Sequence, residues 1–160
     1  MYERYTENAR RAISLARNEA VGAGSPEIDT LHLLLGIITA DRALMGSLLG
    51  MPLVDLIQEQ ILLKSKRAAP ASKPAEPPLT NECNRILKHA EEQADSLSKT
   101  NVGGEHLLLG VLCEPGTMAG KILKKQGLEL GALRHKLGGA AAAPASFGLM
   151  GKLKRTFGLG

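Results

Sequence analysis

Shifted by 74 positions, the chain lies on itself: residues 5–56 fall on 79–130 without a gap. The run His32-Leu33-Leu34-Leu35-Gly36 meets His106-Leu107-Leu108-Leu109-Gly110. Thr6, Arg11, Ala16, Ala20, Gly46, Leu49 and Leu56 meet Thr80, Arg85, Ala90, Ala94, Gly120, Leu123 and Leu130. Ile13 with Leu87 and Ile37 with Val111 are alike in kind. An identical five-residue string inside an ungapped match of 52 positions marks one supersecondary unit present twice. Whatever the first copy folds into, the second must fold into as well.

Each copy reads as four helices. Thr6 is placed to cap the first, and Ala9, Ala12, Ile13, Ala16 and Ala20 recur at spacings of three and four, which gives one apolar face. Gly22, Gly24 and Pro26 end it. Thr30 is expected to cap a second helix through Ile38, apolar nearly all round and therefore central. A third helix fits 42–49, and Pro52 suits the first turn of a fourth running to about Leu63. The second copy repeats the pattern: Thr80 caps a helix to about Leu97, Gly104–Leu112 is the buried one, and 117–125 and 128–137 complete it. The expected fold is all-α, with about eight helices in two tandem four-helix repeats related by a pseudo-twofold. The expected boundaries are repeat one at 3–63, a linker at 64–78, repeat two at 79–137, and a flexible tail at 138–160. The linker, KSKRAAPASKPAEPP, carries four prolines and reads as an exposed, partly extended connector.

Composition narrows the function classes. Hydrophobic residues are 44% of the chain but aromatics only 2%, with no Trp, so the core must be aliphatic. That favours packed helices over a β-sandwich and leaves no aromatic platform for stacking bases. The net charge of +4 divides into −3 over residues 1–63, +3 over 64–78, +1 over 79–137 and +3 over 138–160. The excess lies in linker and tail rather than on a folded face, which argues against nucleic-acid binding. No apolar run has the roughly 18 residues of a membrane span, and MYERYTENARR has no apolar signal core. Two cysteines, Cys83 and Cys113, make neither a disulfide framework nor a CxxC metal pair. A reduced, cytoplasmic setting is expected, with no metal and no cofactor.

The strings Tyr5-Thr6-Glu7-Asn8-Ala9-Arg10-Arg11-Ala12, Val102-Gly103-Gly104-Glu105-His106-Leu107-Leu108-Leu109-Gly110 and Gly127-Leu128-Glu129-Leu130 carry a resemblance. Together with the duplication they make residues 3–137 similar to the N-terminal, or Clp repeat, domain of the Clp family of AAA+ unfoldases, closest in pattern to the ClpC and ClpA branch. The resemblance implies an eight-helix domain without catalysis that receives substrates and adaptor proteins for an ATPase ring. No motif of such a ring is read in these 160 residues. Gly116-Thr117-Met118-Ala119-Gly120-Lys121-Ile122 is one residue short of a phosphate-binding loop and has Ile122 where a hydroxyl should hold magnesium. The chain is then either a stand-alone protein or a fragment of a longer unfoldase, and the Met1 start and the distinct tail favour the first. The expected function is non-enzymatic protein binding in the Clp chaperone and protease system, with unfoldase, adaptors or substrates as partners. The alternative is an accessory subunit that binds the Clp peptidase core directly; membrane binding is not expected.

In the ClpC branch the glutamate of a G-T-E-H string binds phosphorylated arginine. Here Glu105 matches, while the first repeat has Leu31 at that position, so its site loses the charge partner. The resemblance thus implies a phosphoarginine-like site in the second repeat alone, with Glu105 and Thr80. A carboxylate in the first turn of a helix is also favoured without any ligand. His32 and His106 hold equivalent places, and no second ligand stands at metal spacing; they read as histidines ordering the turn before a buried helix. Cys83 and Cys113 read as ordinary small residues. In the tail, Phe147, Lys152, Lys154, Arg155 and Phe157 suit a short basic amphipathic helix for a partner, and Phe157-Gly158-Leu159 resembles the tripeptide with which Clp ATPases dock on the peptidase.

Overall fold

The computed structural model describes residues 2–65 and 76–138. Eight helices follow one another among them: α1 Glu7–Gly22, α2 Thr30–Ala40, α3 Arg42–Leu49, α4 Met51–Lys64, α5 Asn81–Ser96, α6 Gly104–Leu112, α7 Met118–Lys125 and α8 Leu130–Lys136. No strand occurs among the described residues, only two isolated bridges. The expected all-α double repeat is the fold observed. No single helix there is long and apolar enough to cross a membrane.

Caps set most of the boundaries. Thr6 accepts from Ala9 N and Thr80 from Cys83 N, the same contact in each repeat. The second helix differs from expectation. Asp29, not Thr30, caps α2, its carboxylate accepting from Leu31 N at 2.9 Å and His32 N at 3.0 Å. The chain is still extended at Asp29, so the helix starts at Thr30 and the aspartate takes the cap. The freed Thr30 hydroxyl reaches the other repeat and accepts from Ala119 N at 3.3 Å. Thr117 accepts from Gly120 N, so α7 is capped from both repeats at once.

Within each repeat the first two helices cross closely. A Cβ on Gly36 would collide with the Ala12 carbonyl oxygen, and a Cβ on Gly110 with that of Ile86. The alanine stripe of α1 and the Cys83–Ile86–Leu87–Ala90–Ala94 face of α5 are buried in these crossings. The helices α2 and α6 meet in the middle. Leu33, Leu34, Ile37 and Ile38 join Leu107, Leu108, Leu109 and Val111 in one core that spans both repeats. Each such side chain contributes about 1.5–3 kcal/mol by leaving water, so these two helices are a shared anchor for both repeats.

The repeats are also tied crosswise. Tyr5 bridges Val102 in parallel, with Thr6 N donating to Val102 O (2.9 Å) and Val102 N to Arg4 O (2.8 Å). Leu79 bridges Ile28 in the same way, with Thr80 N donating to Ile28 O (3.1 Å) and Ile28 N to Pro78 O (2.8 Å). Under the shift of 74, Tyr5 becomes Leu79 and Ile28 becomes Val102, so each bridge is the image of the other.

Candidate functional site

The turn before α6 is where the implied ligand residue stands. Gly103 is the N-cap and has no side chain, so no side-chain oxygen caps α6. His106 supplies the only half of the usual reciprocal box: its Nδ1 accepts from Gly103 N at 2.9 Å. Burial holds the His106 imidazole below its ordinary range, and the neutral ring is the form that can accept this bond. The first repeat keeps the same return bond, His32 Nδ1 accepting from Asp29 N at 3.1 Å. Both histidines thus order the turn, and among the described residues no group of three His, Cys, Asp or Glu side chains is placed to hold a metal.

Glu105 lies in the first turn of α6, partly exposed. Its carboxylate folds back over Gly103, where a Cβ would touch Oε1. The field at this turn includes Arg4 and Lys99 as well as Glu105. Arg4 is anchored there, Nη2 on Asp95 at 2.7 Å and Nε donating to Thr100 O at 3.0 Å. A carboxylate, an uncapped helix start and two cations therefore share one surface.

The crossed pairing decides which threonine sits beside them. Thr6 is hydrogen-bonded to Val102, three residues before Glu105. Thr80 is hydrogen-bonded to Ile28, on the turn that leads to Leu31. Glu105 and Thr80 therefore belong to different bridges; the threonine on the bridge next to Glu105 is Thr6. Spacing along the chain pointed to the threonine of the same repeat, because nothing local reveals that each repeat begins against the other. At the equivalent place in the first repeat, Leu31 is 6% exposed. With Ala23, Leu35 and Leu62, and with Glu19, His32 and Ser65 as polar lining, it borders a hollow of about 220 Å³.

A second feature lies between the repeats. Leu48, Leu49 and Leu53 from the first face Leu128, Ala132 and Leu133 from the second across a groove of about 230 Å³. Lys136 Nζ spans it and donates to Leu48 O, at the end of α3. The groove is apolar with a charged rim, the form of a surface that takes side chains of another protein.

The remaining candidates have structural places. Gly116–Ile122 is a turn running into α7 with Thr117 as its cap, and Gly120 packs against the Glu114 carbonyl. Cys83 is buried, its Sγ donating to Ile28 O at 3.3 Å, and burial pushes the thiol up to about 11. Cys113 is half-buried, with burial again raising its thiol. Phe147, Lys152, Lys154, Arg155 and Phe157 lie outside the described residues, as does most of the Pro-rich linker.

Comparison with known proteins agrees with this geometry. The family described as the Clp repeat (R) N-terminal domain matches residues 4–126. The chaperone protein ClpB of Oceanobacillus iheyensis is 28% identical over 141 residues, covering 86% of this chain and 17% of that protein. The chain thus spans about a sixth of the length of that relative. The N-terminal domain of the ClpD chaperone of Arabidopsis thaliana superposes with a TM-score of 0.64 at 30% identity, covering 84% of this chain and 95% of that one. A ClpV N-domain solved in complex with a VipB peptide superposes with a TM-score of 0.67 at 13% identity, over 89% of this chain and 91% of that one. A family match across most of the described residues, on a helical fold duplicated as the sequence is, places this chain in the Clp repeat N-terminal domain family.

Proposed function

We propose that the chain is a protein-binding module of the Clp chaperone and protease system, working in the cytoplasm and recognising adaptors or substrates. The observation that carries this reading is the pair of surface features that the double repeat builds: an apolar groove between the repeats and a charged helix start at Glu105. Neither brings together a nucleophile, a base and an acceptor for charge, as catalysis would need. The ClpV N-domain with its bound VipB peptide supports the reading by analogy of fold. A tagged chain used as bait in its own cells should recover Clp components, and recovery of none of them refutes the proposal.

The finer reading is that Glu105 recognises phosphoarginine. The carboxylate would pair with the guanidinium, while the start of α6, Arg4 and Lys99 would draw the phosphate. Thr6, on the neighbouring bridge, is the hydroxyl within the same region. Titration calorimetry with free phosphoarginine tests it: Glu105→Ala should abolish the heat. No heat from the unaltered chain at millimolar ligand ends this assignment.

A further inference from the structure

The two repeats use their equal lengths differently. In the first, Asp41 alone joins α2 to α3 and Gly50 alone joins α3 to α4. In the second, residues 113–117 join α6 to α7, and 126–129 join α7 to α8. Helix α4 has 14 residues and α8 only 7. The early start of α4 sets the Met51 thioether against Gly46. Met51 corresponds to Lys125, which here still belongs to α7. The longer loops leave a groove of about 550 Å³ lined by Leu112, Pro115, Lys124, Leu128 and Leu130.

Its edge is basic. Lys121, Lys124 and Lys125 are exposed on α7, with Lys121 and Lys124 one turn apart on the same face. None is ion-paired with a carboxylate among the described residues. Glu114, on the loop nearby, is held by Arg85 at 3.2 Å and His89 at 2.9 Å and does not serve them. Glu129 lines the groove as a single opposing carboxylate. Lys124 and Lys125 offset the dipole at the end of α7. Lys121 lies before that turn, so dipole compensation does not account for it.

Resting on the protein-binding reading above, the geometry points to the groove between α7 and α8 as a docking site for an acidic, leucine-containing segment of a partner protein. The leucines enter the groove and the carboxylates pair with Lys121, Lys124 and Lys125. A nucleic acid would satisfy the lysines but would set no apolar group against Leu112, Leu128 and Leu130, and no aromatic side chain lines the groove for a base.

The test uses the full chain and a fluorescein-labelled peptide, Glu-Leu-Asp-Glu-Leu-Leu-Asp-Glu, followed by anisotropy. The peptide should bind, and binding should weaken about tenfold in K121E/K124E/K125E. The exposed positions leave the core intact while the end of α7 is weakened, so circular dichroism on the variant should show the helical fold retained. Gly131 borders the groove on α8 with open space around a built Cβ. Gly131→Phe should therefore obstruct binding with every charge in place. Absence of peptide binding, binding indifferent to the three substitutions, or equal affinity for a 20-nucleotide single strand overturns the proposal. The bait experiment separates the two readings. Clp components recovered equally by the unaltered chain and the triple variant remove the groove and keep protein binding. Components recovered by the unaltered chain and lost in the triple variant support both. Failure of both to recover them removes the reading on which the groove rests.

Discussion

Replacing Gly110 by alanine adds one methyl group at the tightest helix crossing of the second repeat. The new Cβ would overlap the Ile86 carbonyl oxygen and lie 3.1 Å from Ala90 N and 3.3 Å from Ala90 Cβ. Two of these neighbours are backbone of α5, so relief requires the helices to separate. Overpacking a dense core costs about 1–3 kcal/mol, with rigid surroundings at the upper end. Alanine returns about 1 kcal/mol through its helix propensity. The net loss is about 2 kcal/mol, which for a chain of this size lowers Tm by about 4–8 °C. Gly36→Ala should behave alike, since its Cβ meets the Ala12 oxygen and comes within 3.0 Å of Ala16 N. Gly131→Ala is the control. It is also helical, but nothing lies within 4 Å of its Cβ, so it should raise stability by up to about 1 kcal/mol. Circular dichroism on heating, with urea titration, reads all three. If Gly110→Ala melts at or above the unaltered chain, the close crossing of α5 and α6 is not what fixes a glycine there.

Three further outcomes follow from single contacts. His106 is held below its ordinary 6.5 in the folded chain, so the unfolded chain binds a proton first. Its contribution is full above about pH 6.5 and is lost as pH falls through the folded value; His106→Asn should flatten the fall in urea midpoint between pH 7 and 5.5, and an unchanged slope refutes the assignment. Thr30→Val leaves Ala119 N without its partner from the other repeat, and the chain should lose about 1–3 kcal/mol, measured by urea unfolding; no loss would mean that this contact does not tie the repeats. In the native chain Cys113 should react with a disulfide reagent before Cys83, whose thiol is buried and raised to about 11. A Cys113→Ser variant that reacts at the rate of an open thiol overturns that order.

The duplication and the helices were legible because both are local signals: a repeated string and an apolar period of three to four. Thr6 and Thr80 announced their helices because each has a hydroxyl just before an apolar face. At Asp29-Thr30 two good cap formers stand side by side, and propensity does not choose between them. The choice falls to the bridge between Ile28 and Leu79, which keeps the chain extended through Asp29. The same bridge, made by residues far apart in sequence, sets Thr80 beside the Leu31 turn, and its counterpart between Tyr5 and Val102 sets Thr6 beside the Glu105 turn. The basic groove escaped notice because it comes from loop lengths that differ inside an ungapped match. Aligned without gaps, Lys125 and Met51 look equivalent, yet one ends a helix and the other begins one.

The reciprocal bridges have a consequence for ancestry and for engineering. Each half carries both a hook, at Tyr5 or Leu79, and the eye for its sibling's hook, at Ile28 or Val102. A gene encoding one half alone would make a chain with both, and two such chains could clasp head to head as a symmetric pair. Fusion through a tether would then need no new contacts, only permission for the copies to differ, as they do at the mouths of their central rods, where one carries an acid and the other leucine.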